Sequence, residues 1–381
     1  MLFRSVRDDW DELLNVRPIT DIPKKGLGYD IPFFNKYMEH PDYDDFWRMG
    51  DWFSRSHKKV IPALIMSGWF DDNGNGTTEA LELTKDFPSD KKKVILGPWM
   101  HSGNANYDIH HVPFGNNALR EDIDLQFLRW FDKYLKDIDN GVERMPVVQY
   151  YNLGTNEWRT AENWPLPNTE EVSYYLGSDG DARTSSGNGT LAIEATGTAE
   201  SDTYLYDPED PAYCLLDVSE NENAVPENYT EQDARKDVLC FDTEPMKEDI
   251  AITCDFKVEL YVGSDAPDTD FVVRVNDVDE NGKSIKMADG VLTARYHQGF
   301  DKPSFLEEGK VYKIVIPTTK VSNTFLKGHK MRLTVTSSAK NMLFPNPNTK
   351  EGLYGSEIRT ANNIVYHSKD YPSRVICRVE K

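Results

Sequence analysis

Two nearly continuous runs of apolar residues stand close together in the first third of the chain. The first, "VIPALIM", covers residues 60–66, and the second, "VILGPW", covers residues 94–99. An apolar run without alternation is typical of a strand that is buried on both faces of a parallel sheet. The segment between them, "TTEALELTKDF", predicts a helix with Thr77 or Thr78 as its N-cap. The pattern therefore predicts one βαβ unit, whose ligands would bind beyond the carboxyl ends of the strands.

Further along the chain the periodicity changes. Residues 121–140 predict an amphipathic helix that ends at Gly141. Its apolar positions at helical spacing are Leu128, Phe131, Leu135 and Ile138. From Val147 onward, short alternating runs such as "VSYYLG" and "FVVRVNDV" are separated by Gly, Asn, Asp and Pro turns. Many short strands without helices between them predict a β-sandwich or jelly roll.

We therefore expect three units in chain order and a fold of the class α/β plus all-β. Residues 1–58 mix aromatic residues with charge, which is typical of short helices and irregular segments. Residues 59–141 contain the βαβ unit and the helix after it. Residues 142–381 form the sandwich, because the change of period falls near their start.

Composition narrows the functional classes. The 43 Lys and Arg residues face 64 Asp and Glu residues, and the resulting net charge of −21 would repel a phosphate backbone, so nucleic acid is not an expected partner. No run approaches the roughly 18 apolar residues of a membrane span, and the first residues turn charged too soon for a signal peptide, so we expect a cytoplasmic chain. The widely spaced cysteines argue against a zinc site and predict reduced core thiols. They are Cys214, Cys240, Cys254 and Cys377.

The candidate chemistry lies just after the two buried strands. Asp71 follows the first apolar run and His101 follows the second. A histidine that acts as general base needs a carboxylate to fix its tautomer and to stabilise the imidazolium. In α/β-hydrolases the triad runs in chain order Ser, acid, His, so the order and spacing fit an acid and a base. The alternative is that Asp71 begins a turn in "DDNGNG" and that His101 is an ordinary loop histidine.

The rest of the sequence favours the acid–base interpretation of Asp71 and His101. Ten segments, spread over nearly the whole chain, occur in the same order as in one protein family. They include "SGWFD", "GPWMH", "LRWFDKYLKDIDNGV", "SDAPDTDFVVRVNDVDENGKS", "GHKMRLTVTSS" and "NNIVYHSKDYPSR". The chain resembles the cocaine esterase and X-Pro dipeptidyl-peptidase family of serine hydrolases, and is closer to its acyl-esterase members. The resemblance implies that Asp71 is the triad acid and His101 the base. It also implies that residues 1–58 are the remnant of a helical cap, residues 59–141 the C-terminal part of an α/β-hydrolase domain, and residues 142–381 a jelly roll.

A nucleophile does not accompany this pair in the sequence. No G-x-S-x-G pentapeptide occurs, although the strained elbow turn that presents a serine hydroxyl needs those small flanking residues. Ser67 and Ser102 belong to the strand ends that carry the acid and the base. In the family the elbow lies before the cap, together with the first strands and an oxyanion-hole tyrosine. We therefore expect a separate N-terminal segment or partner chain to supply the serine, or a homo-oligomer, and an inactive chain when it is alone.

Substrate identity stays open at this stage. The resemblance implies a small-molecule ester or amide substrate, and the pocket candidates are Trp69, Phe70, Asn73 and Trp99. Asn73 and Gly74 stand where the α-amino-acid ester hydrolases carry acidic residues, so an α-amino substrate is disfavoured. The esterases usually have an aromatic residue at position 73, and its loss puts an aryl acyl pocket in doubt. For most tryptophans near residues 47–164, packing is the preferred interpretation.

No cofactor and no metal are expected. "DVDENG", residues 277–282, has the alternating oxygens of a calcium loop, but position twelve would be Ala288, so we predict a β-turn. His110 and His111 are interpreted as loop histidines, because no carboxylate or cysteine stands at ligand spacing. Two functional alternatives to the hydrolase remain: a non-catalytic carbohydrate- or protein-binding β-sandwich module, and an inactive relic.

Overall fold

The structure, a computed structural model, describes residues 9–53, 59–72, 74–217, 222 and 225–381. Its α-helices are α1 Trp10–Leu14, α2 Ile22–Leu27, α3 Pro32–Met38, α4 Asp45–Arg48, α5 Gly74–Thr84 and α6 Ile123–Lys136. The strands that precede residue 165 are β1 Ala63–Gly68, β2 Lys92–Gly97, β3 Asp108–Ile109, β4 Val112–Pro113, β5 Val148–Asn152 and β6 Glu157–Ala161.

The remaining strands belong to one large sheet. They are β7 Thr169–Gly177, β8 Thr190–Ala192, β9 Ser201–Tyr206, β10 Leu239–Asp242, β11 Ile250–Ser264, β12 Asp270–Val278, β13 Ser284–Thr293, β14 Tyr312–Phe325, β15 Lys330–Thr336, β16 Ala361–Tyr366 and β17 Arg374–Glu380. Their order is β13-β12-β15-β10-β8-β7-β17-β11-β16-β9, and β14 pairs with β11. The fold is α/β followed by a β-sandwich, which confirms the predicted class.

The predicted βαβ unit forms the first sheet, whose strand order is β1-β2-β5-β6. β1 and β2 are parallel, with Ala63 opposite Lys92 and Gly68 opposite Gly97. The helix between them, α5, begins at Gly74, before the predicted N-cap at Thr77 or Thr78.

The change of period near Val147 does not coincide with the change of sheet. β5 pairs in parallel with β2, and β6 returns antiparallel to β5. All five residues of β5 are buried, so the run suits an inner strand of either sheet, and its periodicity alone does not tell the two apart. The boundary near residue 142 stays a prediction.

Helix α6 forms where the sequence predicts, but it ends at Lys136 and not at Gly141. Asp137 adopts the left-handed conformation, with φ of 57°, and its N–H caps the helix. The helix buries Ile123, Gln126 and Trp130. The predicted apolar stripe is exposed instead, and its members are Leu128, Phe131, Leu135 and Ile138.

The two sheets share one core on the α5 side of the first sheet. The largest buried cluster runs from Ile65 and Val94 to sandwich residues such as Val258 and Leu333. A smaller cluster on the opposite side of the sheet contains Ile95 and residues of α6. The sandwich therefore covers one face of the first sheet, and α6 covers part of the other.

The structure agrees with two smaller predictions, a turn after residue 277 and buried cysteines. Of residues 277–282, the first two end β12 and the other four lie in the tight connection to β13, with Gly282 at φ 82°, as expected of a β-turn. The four cysteines are buried, and burial raises the pKa of the Cys254 thiol to about 12. None of the described helices combines the length and the apolar character that a membrane span requires.

Candidate functional site

Asp71 and His101 lie at the carboxyl ends of neighbouring parallel strands. β1 ends at Gly68 and β2 at Gly97, and the two glycines are opposite each other in the register. The backbone keeps the two strand ends together beyond the sheet, because Trp69 N–H donates to the Gly97 carbonyl and Phe70 N–H donates to the Trp99 carbonyl. Asp71 follows directly.

The glycines of "SGW" and "LGPW" are needed for this close approach. A Cβ on Gly68 would lie 1.9 Å from the Trp99 carbonyl oxygen, and a Cβ on Gly97 would lie 2.3 Å from the Trp99 ring. Any larger residue would push the two strand ends apart. The spacing between the acid and the base therefore depends on these positions being glycine.

The structure brings the predicted acid and base into contact. The distance between His101 Nδ1 and Asp71 Oδ1 is 3.0 Å, which is a hydrogen bond. Asp71 is mostly buried, with 15% of its side chain exposed, whereas 48% of the His101 side chain is exposed. A bond at Nδ1 makes Nε2 the nitrogen that can take a proton from a reacting group.

A second carboxylate lies at the same imidazole nitrogen. Asp72 Oδ1 is 3.3 Å from His101 Nδ1. The pKa of His101 is raised, first by the hydrogen bond to Asp71, then by the charge of Asp71 and, to a smaller extent, by that of Asp72. Both carboxylates therefore favour the protonated imidazolium. The sequence marks Asp72 only as a neighbour of Asp71, so its contact with the imidazole was not predicted.

Ser67 and Ser102 direct their hydroxyls to groups other than the imidazole. Ser67 Oγ donates to Asp71 Oδ2 over 3.3 Å, and Ser102 Oγ donates to Asn106 Oδ1 over 3.4 Å. Ser67 is buried at the end of β1, so it can hold the outer oxygen of the acid. This anchoring role of Ser67 was also not predicted from the sequence.

A residue of the sandwich region also reaches the acid. Glu222 forms an isolated antiparallel bridge with the Asp71 backbone. Its carboxylate accepts a hydrogen bond from His110 Nε2 over 2.8 Å. His110 lies in the turn between β3 and β4, as predicted for a loop histidine. The sequence carries no signal for this contact, since Glu222 is far from both residues along the chain.

The candidate pocket residues lie in packing contacts. Trp69 Nε1 donates to the Tyr151 carbonyl and Trp99 Nε1 to the Ala118 carbonyl, and both rings are buried. Phe70 is fully buried and stacks on Phe114, with ring centroids 6.0 Å apart. Aromatic residues that follow inner strands fold into the core here, so the geometry lends no support to their role in a pocket, which stays a prediction. Asn73 lies outside the described residues.

The site also offers potential metal ligands. One ligand atom from each of Asp71, Asp72 and His101 lies within 4.8 Å of the other two. The hydrogen bond between His101 and Asp71 accounts for this proximity without an ion. We therefore interpret the cluster as an acid–base group.

Comparisons with known proteins give the arrangement a context. Residues 140–376 match the family model described as the X-Pro dipeptidyl-peptidase C-terminal non-catalytic domain. Residues 4–103 match the model described as X-Pro dipeptidyl-peptidase (S15 family).

One curated relative is the cocaine esterase of Rhodococcus sp. (strain MB1 Bresler). It is 32% identical over 388 residues, an alignment that covers 99% of this chain and 66% of the esterase. This chain therefore spans slightly less than two thirds of the length of that relative.

Two solved structures share the fold. The aminopeptidase from the marine sediment archaeon Thaumarchaeota archaeon matches with a TM-score of 0.84 and 23% identity, over 100% of this chain and 65% of its own. An α-amino acid ester hydrolase matches with a TM-score of 0.83 and 24% identity, over 99% of this chain and 65% of its own. At these identities the likeness shows the fold alone.

Proposed function

The chain belongs to the X-Pro dipeptidyl-peptidase and cocaine esterase family of serine hydrolases, and from that premise we propose that it carries the acid–base part of an ester-hydrolysing site. Asp71 is the acid and His101 the base. The serine nucleophile comes from another polypeptide segment that carries the G-x-S-x-G elbow. The observation that carries the proposal is the 3.0 Å hydrogen bond between His101 Nδ1 and Asp71 Oδ1 at the ends of two parallel strands.

The chemistry follows from the orientation of the imidazole. With Nδ1 held by Asp71, His101 Nε2 takes the proton from the serine hydroxyl as its oxygen bonds to the acyl carbon. The same nitrogen then returns that proton to the leaving alkoxide as the ester bond breaks. Water repeats the sequence on the acyl-enzyme, so that one ester is converted to one acid and one alcohol.

The carboxylates act on the charge that forms in this step. The imidazolium produced by proton transfer lies 3.0 Å from Asp71 and 3.3 Å from Asp72. Ser67 donates to the far oxygen of Asp71, so the carboxylate is held toward the imidazole. This geometry supports stabilisation of the transition state, because the acid is in place before charge develops.

We further propose a small acyl ester as the substrate class. Support comes from the cocaine esterase, at 32% identity, whose name describes action on an ester. The α-amino acid ester hydrolase contributes the fold alone. An amide substrate is the second choice, in view of the peptidase family model that matches residues 4–103.

The experiment uses a fusion protein in which the N-terminal third of the Rhodococcus cocaine esterase, which by the family's order carries the elbow serine, precedes the full chain. The fusion protein should hydrolyse a p-nitrophenyl ester. His101→Ala should lower its turnover at least about a thousandfold, because the serine then has no base.

The matched control is Ser102→Ala, next to the base, which should change turnover little because Ser102 Oγ donates to Asn106. Hydrolysis that survives His101→Ala would overturn the assignment of the base. Hydrolysis that is lost in Ser102→Ala would show that this chain contributes its own nucleophile.

A further inference from the structure

A cavity of about 230 Å³ lies where strand β4 and the loop between β5 and β6 meet the hairpin of β12 and β13. We call it the hairpin cavity. Its apolar wall includes Val112, Phe114, Leu153, Ile285 and Met287. Phe114, Leu153 and Met287 are buried members of the main core, so the wall continues that core. An apolar molecule in the cavity would therefore be shielded from water on this side.

Backbone hydrogen bonds hold the walls of the hairpin cavity in place. Leu153 N–H donates to the Ser322 carbonyl over 2.9 Å, and Thr324 N–H donates to the Leu153 carbonyl over 2.8 Å. Ile285 forms an isolated antiparallel bridge with Asn228. These contacts join segments that are far apart along the chain, so the whole fold shapes the cavity. A ligand would meet a preformed site, which lowers the entropic cost of binding.

One end of the hairpin cavity carries a histidine that a buried carboxylate orients. His329 Nδ1 lies 2.8 Å from Asp277 Oδ1, and Asn323 Nδ2 donates to Asp277 Oδ2 over 3.1 Å. Only 11% of the Asp277 side chain is exposed. An ionised carboxylate accepts hydrogen bonds and donates none, so Nδ1 of His329 carries a hydrogen. Asp277 thus holds the imidazole in one orientation.

The second ring nitrogen of His329 is the group that a ligand can reach. The side chain is 23% exposed and lines the cavity, and Nε2 has no hydrogen-bond partner among the described residues. Nε2 accepts a hydrogen bond when the ring is neutral and donates one when the ring is protonated. A hydroxyl group can both donate and accept, so it pairs with Nε2 in either state. A carboxylate pairs with the protonated ring alone, and an ammonium group with the neutral ring alone.

The charges that line the hairpin cavity disfavour charged ligands. The carboxylates of Asp277 and Asp279 outweigh the Lys283 ammonium unless His329 is protonated, and then the charges balance. With a net charge of −21 on the whole chain, an anion is not attracted. An ammonium group would find both oxygens of the buried Asp277 already bonded, so its desolvation would not be repaid there. An uncharged ligand avoids both costs.

The volume limits the size of the ligand. A water molecule occupies about 30 Å³ in the liquid, and an apolar cavity of about 150 Å³ can hold benzene. The hairpin cavity, at about 230 Å³, has room for one ring with a short polar substituent, which is roughly eight to ten non-hydrogen atoms.

From these features we infer that the hairpin cavity binds a small uncharged molecule with an apolar body and one hydroxyl group, such as an aromatic alcohol. The inference does not rest on the proposed function, and neither Asp71 nor His101 is among the described residues that line the cavity. The apolar body packs on the wall that contains Phe114 and Met287. The hydroxyl group bonds to His329 Nε2.

NMR titration of the 381-residue chain tests the site, with ¹³C-labelled methionine methyl groups and benzyl alcohol as the probe. The Met287 signal should shift, and the Met342 signal should not, because Met342 does not line the cavity. Benzoate and benzylamine carry a charged group on the same ring. Each should bind at least about fivefold more weakly, because its charged group matches Nε2 in one protonation state alone.

Variants make the test specific. Val112→Phe should abolish the binding of benzyl alcohol, because the larger side chain fills the cavity. Val315→Phe is the matched control, since Val315 is an exposed residue of β14 that does not line the cavity. His329→Leu should weaken the binding of benzyl alcohol at least about fivefold and change that of toluene, which lacks the hydroxyl group, by less than about twofold.

Each part of the inference has an outcome that overturns it. An unshifted Met287 signal would show that the cavity holds solvent only. Binding that persists in Val112→Phe would place the ligand elsewhere. Tighter binding of benzoate or benzylamine would overturn the class of ligand, and this comparison needs only the unchanged chain should His329→Leu fail to fold. Equal losses for benzyl alcohol and toluene in His329→Leu would contradict the bond to Nε2.

Discussion

The two regions of the molecule differ in how much apolar surface they leave in solvent. Of the large hydrophobic side chains that are exposed within the described residues, 16 lie before residue 142 and 8 lie after it. The second region is nevertheless the longer one. Some charged residues inside the sandwich are paired with a group of opposite charge, as in the buried contact between Lys286 and Asp289 at 2.6 Å. The sandwich keeps most of its large apolar side chains inside, and the first region leaves more of them exposed.

The same contrast appears in two pairs of histidine and aspartate. His367 Nε2 lies 2.8 Å from Asp202 Oδ2 in the sandwich, and both side chains are essentially inaccessible. Ser178 Oγ donates to the same carboxylate over 2.5 Å. Burial raises the pKa of Asp202, but the hydrogen bonds from His367, Ser178 and the Ala182 N–H outweigh it and the pKa is lowered.

This comparison shows that residue types alone do not identify a site. Ser178, Asp202 and His367 have the composition of a catalytic triad, yet the serine donates to the aspartate and solvent does not reach the group. His101 has the same partner type at a similar distance, but 48% of its side chain is exposed at the end of a parallel strand. Access separates the structural pair from the candidate acid–base pair.

The largest effect on the free energy of unfolding is expected from a substitution that breaks a buried ion pair inside the sandwich. Lys286→Met removes the partner of Asp289 and leaves a buried charge, which should lower the free energy of unfolding by about 3–5 kcal/mol. Lys310→Met is the matched control, because Lys310 pairs with Glu307 at the same sequence separation on the surface and should change stability by less than about 1 kcal/mol. Guanidinium titration compares the two. If the two variants lost equal stability, the buried ion pair would contribute no more to the stability of the sandwich than the surface pair does.

A smaller effect is expected where the loop between β5 and β6 of the first sheet packs against the large sheet. Gly154 has φ of 83°, and a Cβ there would lie 2.2 Å from the Thr324 carbonyl oxygen of β14. Gly154→Ala should therefore lower the free energy of unfolding by about 1–3 kcal/mol. Gly282→Ala has nearly the same φ but no atom within 4 Å, so strain alone should make it the milder change. If the two variants unfold alike, the close packing of Gly154 against β14 contributes nothing to stability.

The smallest expected effect is a change in the pKa of His101. The pKa of His101 is raised above its ordinary value of 6.5 by Asp71 first and Asp72 second. The pair therefore stabilises the fold below about pH 6.5, and this contribution is lost as the pH rises through the raised pKa. NMR titration of the imidazole should show Asp71→Asn lowering the pKa more than Asp72→Asn. The exposed residue Asp301, substituted by Asn, serves as the control, and the reverse order would assign the orienting role to Asp72.

The contact between the acid and the base could be predicted from the sequence, because the sequence indicates how the first strands are arranged in the sheet. The unbroken apolar runs around Ile65 and Val94 predict parallel inner strands, and parallel strands bring their carboxyl ends together, so the contact between Asp71 and His101 could be anticipated. The anchoring of Asp71 by Ser67 could not, because it depends on a side-chain rotamer at the strand end.

Other features of the structure could not be predicted from the sequence, for different physical reasons. β5 is buried on both faces and suits an inner strand of either sheet, so its periodicity did not assign it to one of them. The stripe of α6 was correctly recognised as apolar, but periodicity does not say which polypeptide covers a helix face. Glu222 reaches Asp71 by a contact between distant segments, which a local pattern does not encode.

The most direct test of the central claim is fluorophosphonate labelling followed by mass spectrometry of the fusion protein. The claim is that this chain supplies Asp71 and His101 to a serine on another segment. It predicts a label on the elbow serine of the cocaine esterase segment, lost in His101→Ala and retained in Ser102→Ala, with this chain alone unlabelled. Stoichiometric labelling of this chain at Ser67, Ser102 or elsewhere, or labelling of the elbow serine that is undiminished by His101→Ala, would contradict it.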